Sequence, residues 1–207
     1  SWNSSTSWQS SHDNLTYFPA TLAPSSLAAA ISIQSLHTVT INSTGVSLVN
    51  TTIQSGGTLE ITSPATYSID GAGDNLIVEN GGVLLLNFTT VSALSGTGTA
   101  LIKIGGKVKA NAVGSAAAAD AIGDNYLNVN SKFTYQDKSI FEWNIATYIF
   151  NSTGLNDYFK TLSGTDIPIL RISTAPVAAF GTSSANVLNC ILEVNAPFNI
   201  AGSGTKT

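Results

Sequence analysis

Apolar and polar residues alternate along this chain in a nine-residue pattern that recurs at nearly constant spacing. Its copies occupy residues 33–41, 53–61, 78–86 and 102–110. The last three copies carry a pair of glycines near the centre, whereas the first has Leu36 and His37 there. The first residues of the copies, 33, 53, 78 and 102, lie 20, 25 and 24 residues apart. Alternation with a period of two predicts short β-strands, and a repeat of this length predicts strands stacked in successive coils.

The repeat predicts columns of inward-facing residues, because alternate side chains of a strand point to opposite faces. Leu59, Leu84 and Val108 form one such column, and Ile53, Val78 and Ile102 form another. The glycine pair between the two strand pieces allows the backbone to adopt positive φ and turn a corner. We therefore expect an all-β chain folded as a parallel β-helix, with coils of about 20 to 25 residues.

The pattern also predicts how the chain is divided. We expect an amino-terminal cap and lead-in strand over residues 1–30 and coils of the β-helix over residues 31–207. An aromatic copy of the pattern at residues 133–143 continues the stack with larger side chains. Residues 112–130 and 145–166 depart from the pattern and are expected to leave the stack as loop or helix excursions. The pattern is still running at its last residue, so we expect the stack to continue or to be covered by another chain.

The composition favours a weakly charged β-rich protein. Charged residues make up 10% of the chain and hydrophobic residues 43%, with a mean hydropathy of +0.21, which disfavours disorder. The 8 basic and 12 acidic residues give a net charge of −4, which disfavours nucleic-acid binding. No apolar run approaches the roughly 18 residues of a membrane-spanning helix. The one cysteine, Cys190, lies in an apolar stretch and is predicted to pack as a small side chain rather than act as a nucleophile.

Most of the chain, including a later segment over residues 168–172 and 192–195, resembles a class of secreted bacterial proteins. Trp2 and Trp8 precede a proline-containing region, the strand pattern of residues 31–41 and the Gly-Gly-Thr-Leu sequence of residues 56–59. This order is similar to that of the large surface proteins exported by the type IX secretion system of gliding-type bacteria, although Leu36 stands where that class usually has glycine. The resemblance implies an extracellular β-helix, which parallel crossovers favour as right-handed. It carries over no catalytic residues.

The outward positions of the same strands give little support to an enzyme. One outward column contains Thr40, Glu60, Leu85, Lys109 and Glu142, and its neighbour contains Thr38, Thr58, Val83, Lys107 and Ile140. Enzymes that cleave polysaccharides need paired carboxylates for acid–base chemistry, and neither column has two adjacent acids. Val83, Leu85 and Ile140 are apolar at outward positions, so we expect something to cover them. The candidates are the alanine-rich excursion near residues 112–122 and a neighbouring chain or domain.

Two turns that contain aspartate residues suggest a bound metal ion as a cofactor. Asp70 and Asp74 flank the first turn, and Asp120 and Asp124 flank a related turn 50 residues later. Carboxylates four residues apart, beside glycine and asparagine, could supply oxygen ligands to Ca²⁺. The alternative is an Asx turn, in which Asp and Asn side chains accept hydrogen bonds from nearby backbone.

Together these features predict a non-catalytic structural or adhesive module of a large secreted bacterial surface protein, acting in surface display, adhesion or fibre assembly. The expected partners are neighbouring modules of the same protein or other copies, stacked end to end, and surface glycans. The alternative is a carbohydrate-active β-helix, either a polysaccharide lyase or a glycan-binding module. An outward cluster of acids and aromatic residues would favour that alternative, and an apolar outer strip against another chain would favour the structural role.

Overall fold

The described part of the chain is built mainly from β-strands, most of them in parallel sheets, with very little helix. The structure is a computed structural model and describes residues 1–13, 15–62, 66–88, 93–112, 121–127, 131–146, 157–159, 165–175, 180–181, 187–197 and 200–201. Helical structure in these ranges is confined to a 3-10 helix at Ser5–Ser7 and a turn around the π-helical Gly123–Leu127. The expected all-β character is confirmed.

The strands are short, as the two-residue alternation predicts. In chain order they are β1 Gln9–Ser10, β2 Phe18–Pro19, β3 Ile31–Ile33, β4 Thr38–Ile41, β5 Val46–Leu48, β6 Thr51–Ile53, β7 Thr58–Thr62, β8 Thr66–Ile69, β9 Asp74–Val78, β10 Val83–Asn87, β11 Ala93–Ser95, β12 Thr99–Ile102, β13 Lys107–Ala112, β14 Phe133–Tyr135, β15 Ile140–Trp143, β16 Asp157–Tyr158, β17 Ile169–Ile172, β18 Phe180–Gly181, β19 Val187–Leu188, β20 Ile191–Val194 and β21 Ile200–Ala201.

Three parallel sheets contain the repeats. The seven-stranded sheet has the order β4-β7-β10-β13-β15-β17-β20, the five-stranded sheet β3-β6-β9-β12-β14 and the three-stranded sheet β5-β8-β11. The chain enters the five-, seven- and three-stranded sheets in that order three times, through β3 to β5, β6 to β8 and β9 to β11. Three strand pairs lie outside these sheets: β1 with β2, antiparallel, and β16 with β19 and β18 with β21, both parallel. Each repeat therefore places equivalent residues at equivalent positions in successive strands.

The register of the seven-stranded sheet aligns the inward residues as the sequence predicts. One inward column consists of Val39, Leu59, Leu84, Val108, Phe141, Leu170 and Leu192. Its members from Leu59 to Leu170 are fully buried. The five-stranded sheet aligns Ile33, Ile53, Val78, Ile102 and Tyr135 in the same way. Each layer removes the apolar surface of the next from water, which is the main favourable contribution to folding.

The aromatic copy of the pattern fits because small residues precede it. Phe133 pairs with Ala100, and Trp143 pairs with Ala110, in the strands before them. All four side chains are fully buried. Alanine leaves space that the neighbouring ring occupies, so the interior keeps a high packing density where the residue size changes. Trp143 faces inward, in agreement with the alternation of residues 133–143.

Hydrogen bonds between the turns of successive repeats continue the ladders of the sheets. The first glycine of each pair, at Gly56, Gly81 and Gly105, has positive φ. Leu36 and Lys138 hold this position in the first and fifth copies, and they also have positive φ, of 65° and 55°. Each of these residues donates its N–H to a carbonyl of the next turn at 3.0 to 3.3 Å, in a series that runs from Leu36 to Ile167. The positive φ is therefore kept in the copies of the pattern that have no glycine at this position.

The second glycine of each pair is in close contact with the preceding repeat, and its φ is not positive. A Cβ on Gly82 would lie 2.6 Å from the Ile53 carbonyl oxygen of the preceding repeat, and one on Gly106 would lie 2.5 Å from that of Val78. Gly57 is placed against the Ile33 carbonyl in the same way. Residues with side chains hold this position in the first and fifth copies, namely the exposed His37 and the buried Ser139.

The amino-terminal residues lie against the first strand of the seven-stranded sheet. The backbone N–H of Trp2 donates to the Thr40 carbonyl at 2.9 Å, and the Trp2 side chain is only 2% exposed. Trp8 packs edge-to-face on Trp2 at 5.3 Å between ring centroids and donates its indole N–H to the Trp2 carbonyl. Trp2 therefore covers the end of the interior that the inward columns form.

Parts of the two predicted excursions return to the interior. In residues 112–130, Tyr126 is buried with its ring centroid 4.6 Å from that of Phe133. In residues 145–166, Phe159 is buried with its ring 5.2 Å from that of Tyr135. Burial raises the pKa of both Tyr126 and Tyr135. Most of both excursions falls outside the described residues, so the predicted domain boundaries stay predictions.

Replacing Gly82 with alanine tests the close approach of neighbouring turns. We expect Gly82→Ala to lower the free energy of unfolding by about 2 kcal/mol, because its Cβ would meet a backbone carbonyl that cannot move without disturbing the ladder. Gly73→Ala is the control, since Gly73 has positive φ but open space around it, and only the left-handed conformation should cost about 1 kcal/mol. Urea denaturation measures both, and an equal or smaller loss at Gly82 would contradict the steric explanation.

Candidate functional site

The outer face of the seven-stranded sheet is the candidate site, because it gathers the outward residues singled out from the sequence. Its first column contains Thr40, Glu60, Leu85, Lys109, Glu142, Arg171 and Glu193. Its second column contains Thr38, Thr58, Val83, Lys107, Ile140, Ile169 and Ile191. The sequence predicts both columns correctly as far as β15, and the structure extends each of them by two strands.

Glu142 is the centre of this face. Its carboxylate is bound by two ammonium groups of β13, with Lys107 Nζ at 2.8 Å from Oε2 and Lys109 Nζ at 3.3 Å from Oε1. Lys109 is its direct register partner across the two strands, and Lys107 is the diagonal one. The side chain of Glu142 is only 9% exposed, so both ion pairs act in a partly dehydrated environment, where charges interact more strongly than in water.

The two lysines decide the charge state of Glu142. Burial acts to raise the pKa of the carboxyl group, but the hydrogen bond and charge of Lys107, together with Lys109, outweigh it and lower the pKa below the ordinary value of 4.5. Glu142 is therefore a carboxylate at neutral pH and a weaker base than an isolated glutamate. The Glu142 carboxylate joins β13 and β15 through ion pairs, and its lowered pKa makes it a poor proton acceptor.

Charges of alternating sign continue along the first column. Arg171 is the register partner of Glu142, and it donates its Nε–H to Glu193 Oε2 at 2.7 Å. The column thus reads Lys109, Glu142, Arg171, Glu193 over four neighbouring strands. Opposite charges on directly opposed residues stabilise neighbouring strands, whereas like charges there would repel.

The part of the first column nearer the amino terminus is polar but lacks ion pairs among the described residues. Glu60 accepts hydrogen bonds from Thr40 Oγ1 at 3.1 Å and from Asn87 Nδ2 at 2.9 Å. Leu85 separates it from Lys109, as the sequence predicts. Neutral donors therefore satisfy Glu60, and the lysines of β13 pair with Glu142 on their other side.

Val83, Leu85 and Ile140 lie on the outer face, and all three are half-buried. Val83 and Leu85 belong to β10, and Ile140 is separated from Val83 in the second column by Lys107. Most of the alanine-rich excursion that was expected to cover them lies outside the described residues. Their covering by that excursion or by a partner stays a prediction.

The structure places the acidic turns among ordinary hydrogen-bond partners. Asp70 Oδ2 accepts from Ser68 Oγ at 2.5 Å and Ser47 Oγ at 2.7 Å, and these two bonds lower the pKa of Asp70. Asp74 accepts from Thr99 Oγ1 at 2.7 Å. Asn75, which follows Asp74, donates its amide N–H groups to the carbonyls of Ala72 and Gly73, so its side chain bonds the backbone of its own turn.

Asp124 is exposed in the π-helical turn, and Asp120 lies outside the described residues. Within the described ranges, His, Cys, Asp and Glu form no group of three or more with the spacing of a metal site. Ca²⁺ binding by Asp70, Asp74, Asp120 and Asp124 stays a prediction. Cys190 is half-buried, and burial raises the pKa of its thiol to about 12, which disfavours the nucleophilic thiolate.

The charges are distributed unevenly along the chain. Residues 1–102 contain five acids and no lysine or arginine, whereas residues 103–207 contain seven acids and all eight basic residues. Because successive strands lie side by side in the sheets, this division separates charge along the direction in which the repeats follow one another. The ion pairs of the outer face belong to the second half.

Comparisons of the chain with protein-family models, with curated protein sequences and with solved structures found no match. In the described ranges, no helix has the length and apolar character needed to span a membrane. The arrangement of the site therefore has to be interpreted from its own geometry.

Replacing Glu142 tests its ionic connection. We expect Glu142→Gln to lower the free energy of unfolding by about 2 kcal/mol at about pH 7, because two half-buried ammonium groups lose their shared carboxylate. The folded-state pKa lies below 4.5, so this stabilisation is full above pH 4.5 and is lost as the pH falls below it. The difference in unfolding free energy between the wild type and Glu142→Gln should therefore become smaller as the pH falls below 4.5.

Glu193→Gln is the matched control for this measurement. Its ion pair with Arg171 is more exposed, with side chains 26% and 36% accessible, and should contribute less than about 1 kcal/mol. Chemical denaturation at a series of pH values measures both variants. If the difference in unfolding free energy between the wild type and Glu142→Gln stays constant as the pH falls, the result would contradict the stabilising ion pairs of Glu142.

Proposed function

We propose that the repeats form a right-handed parallel β-helix and that the chain is a structural module of a large secreted bacterial surface protein. In this proposal the module acts extracellularly in surface display, adhesion or fibre assembly, and is non-catalytic. It belongs to the cargo class of the type IX secretion system, which its amino-terminal sequence resembles. Its partners are neighbouring modules or other copies, arranged end to end.

The order of the strands supports the β-helix. The chain enters the same three parallel sheets in a fixed order, and each strand pairs with the equivalent strand of the next repeat. Parallel strands joined by crossover connections favour the right-handed form. The inward columns belong to one cluster of buried residues, as a continuous interior requires.

The single observation that carries the structural role is the register of the seven-stranded sheet, which among the described residues is regular except for one shift between Leu86 and Asn87. Seven parallel strands keep their inward and outward residues aligned. The acid that is most buried on this sheet, Glu142, is held by two lysines in a connection between strands. Both features favour a rigid, extended element whose residues serve stability and contact rather than turnover.

A second candidate function is binding of an acidic glycan on the outer face. Three cations there, Lys107, Lys109 and Arg171, have side chains that are 26% to 30% exposed. Retention of the protein on immobilised polygalacturonate at low salt, but not on neutral dextran, would support glycan binding. Cleavage of the polymer would instead support the lyase alternative, and equal behaviour on both polymers would contradict this candidate.

Surface labelling of cells tests the structural proposal. Antibodies raised against the chain should label intact cells of the organism that produces it, because the proposed module is extracellular. The same antibodies should isolate a native protein whose intact mass is much larger than the 21.4 kDa of this chain. An antibody against a cytoplasmic protein is the control for cell integrity. Labelling that appears only after lysis would contradict the proposal.

A further inference from the structure

The corner between β9 and β10 contains the only Asn-Gly sequence of the chain, at Asn80 and Gly81. In such a sequence the backbone nitrogen of glycine can attack the side-chain amide carbon of asparagine, because glycine has no Cβ to hinder the approach. The equivalent corners of the neighbouring repeats have Ser55 and Ile104 before their first glycine, and neither side chain has an amide. The reactive sequence therefore occurs once among the corners of the repeats.

The two groups that would react lie on the same side of the turn. Asn80 and Gly81 are both exposed. The Gly81 N–H is directed at the next repeat, where it donates to the Gly105 carbonyl at 3.0 Å. The Asn80 side chain is directed the same way, because a Cβ built on Gly105 would lie 2.9 Å from Asn80 Cγ. The turn thus presents the amide carbon and the backbone nitrogen towards the same neighbouring repeat.

The hydrogen bond to Gly105 holds the Gly81 nitrogen back from this reaction. A nitrogen that attacks must release its proton, and the folded chain keeps that proton on the Gly105 carbonyl. The nitrogen must also turn towards its own side chain, and the Gly81 carbonyl opposes this because it accepts from Gly56 at 3.0 Å. The reaction therefore requires the turn to open, and its rate follows the equilibrium population of the open turn.

The one Asp-Gly sequence of the chain, at Asp70 and Gly71, differs in this respect. An aspartate forms the same ring only as the neutral acid, since a carboxylate repels a nucleophile. Asp70 accepts hydrogen bonds from the Ser47 and Ser68 hydroxyls, and these bonds lower its pKa, so that it is a carboxylate at neutral pH. The neutral amide of Asn80 has no such protection.

We propose that Asn80 is a site of spontaneous deamidation and that opening of its turn controls the rate. The Gly81 nitrogen forms a bond to Asn80 Cγ and loses its proton, the Cγ–Nδ2 bond breaks, and ammonia leaves with that proton. Water then opens the resulting succinimide ring at either of its carbonyl carbons and gives aspartate or isoaspartate. The net reaction consumes one water and releases one ammonia, without an oxidant or a reductant.

The isoaspartate product disturbs the ladder of turns. Its main chain runs through the former side chain, which inserts an extra carbon atom before Gly81. Because Gly81 is bonded to Gly56 on one side and to Gly105 on the other, the insertion moves it out of line with both. The aspartate product leaves the main chain unchanged and adds a negative charge next to Glu79, which is paired with Lys103 at 2.7 Å.

Peptide mapping by mass spectrometry measures the rate. The folded chain and a peptide of residues 77–83, blocked at both ends, are incubated in the same neutral buffer. Asn80 should convert in both, and about tenfold more slowly in the folded chain, the factor that one backbone hydrogen bond can contribute. Equal rates in the chain and the peptide would overturn the proposal.

The variant Gly105→Ala tests whether opening of the turn sets the rate. Its Cβ would lie 2.4 Å from Asn80 Oδ1, and alanine is strained at the positive φ of Gly105, so the turn opens more often. Conversion of Asn80 should be about fivefold faster than in the wild type, as the strain of a left-handed residue allows. Gly73→Ala is the matched control, because it has the same strain at another corner but open space around its Cβ.

The control variant should convert Asn80 at the wild-type rate. Equal rates in Gly105→Ala and Gly73→Ala, or no detectable conversion in Gly105→Ala, would overturn the proposal. Circular dichroism checks that both variants fold. Urea below the unfolding transition gives a second measurement on the wild-type chain, since it should accelerate the conversion by opening the turn. A rate that does not change with urea would also overturn the proposal.

The effect of the product on stability is measured separately. After incubation, chromatography separates the isoaspartate form, and urea denaturation compares it with the variant Asn80→Asp, which has the charge without the extra carbon atom. The isoaspartate form should unfold at the lower urea concentration. Asn80→Ser has the residue of the equivalent Ser55 corner and cannot react, so the same incubation should leave its stability unchanged. An isoaspartate form as stable as Asn80→Asp would contradict the disturbance of the ladder.

Discussion

Main-chain hydrogen bonds between equivalent turns set the spacing on which the rest of the molecule depends. The ladder from Leu36 to Ile167 continues the sheets through their corners, with N···O distances of 3.0 to 3.3 Å. Strands held this way lie about 4.8 Å apart, which brings Gly57, Gly82 and Gly106 close to a carbonyl of the preceding repeat. The preference for glycine and the alignment of the inward residues are therefore two results of one backbone constraint.

The same constraint governs the outer face. Where neighbouring parallel strands keep their register, each side chain meets its equivalent in the next repeat, so a charge of the same sign in every repeat would place like charges together. The chain avoids this by alternating acid and base from Lys109 to Glu193, and by using Thr, Leu and Val nearer the amino terminus. Glu142 can be nearly buried on an outer face because two cations from a single neighbouring strand reach it.

Much of the fold can be predicted from the sequence, because aligning the copies of the repeat indicates which residues pair in neighbouring strands. The alternation around Leu59, Leu84 and Val108 is enough to predict which residues pair across the seven-stranded sheet. The outer face is less predictable, because the sequence places Lys109 beside Glu142 in one column but does not show that their side chains form an ion pair. The ion pair of Glu142 with the diagonal Lys107 depends on side-chain reach, which a register alone does not provide.

The entry of β20 into the sheet agrees with its sequence, because Leu-Glu-Val at residues 192–194 has the same alternation as Leu-Glu-Ile at residues 59–61. Arg171 and Glu193 lie at outward positions of β17 and β20, where the apolar alternation alone does not indicate their ion pair. The contacts of Tyr126 and Phe159 could not be predicted either, because they come from segments without the repeat. Irregular segments carry no internal copy against which their positions can be compared.

The segregation of basic residues has an electrical consequence. With five carboxylates and no cation before residue 103, and a slight excess of cations after it, the stack carries a dipole moment whose negative pole lies toward Trp2. In an external field, such as that above an anionic polymer or membrane, a torque would turn the carboxyl-terminal half toward the surface. Dissolved ions would attenuate that torque over the Debye length, about 8 Å at physiological ionic strength, so the preferred tilt would sharpen in dilute media.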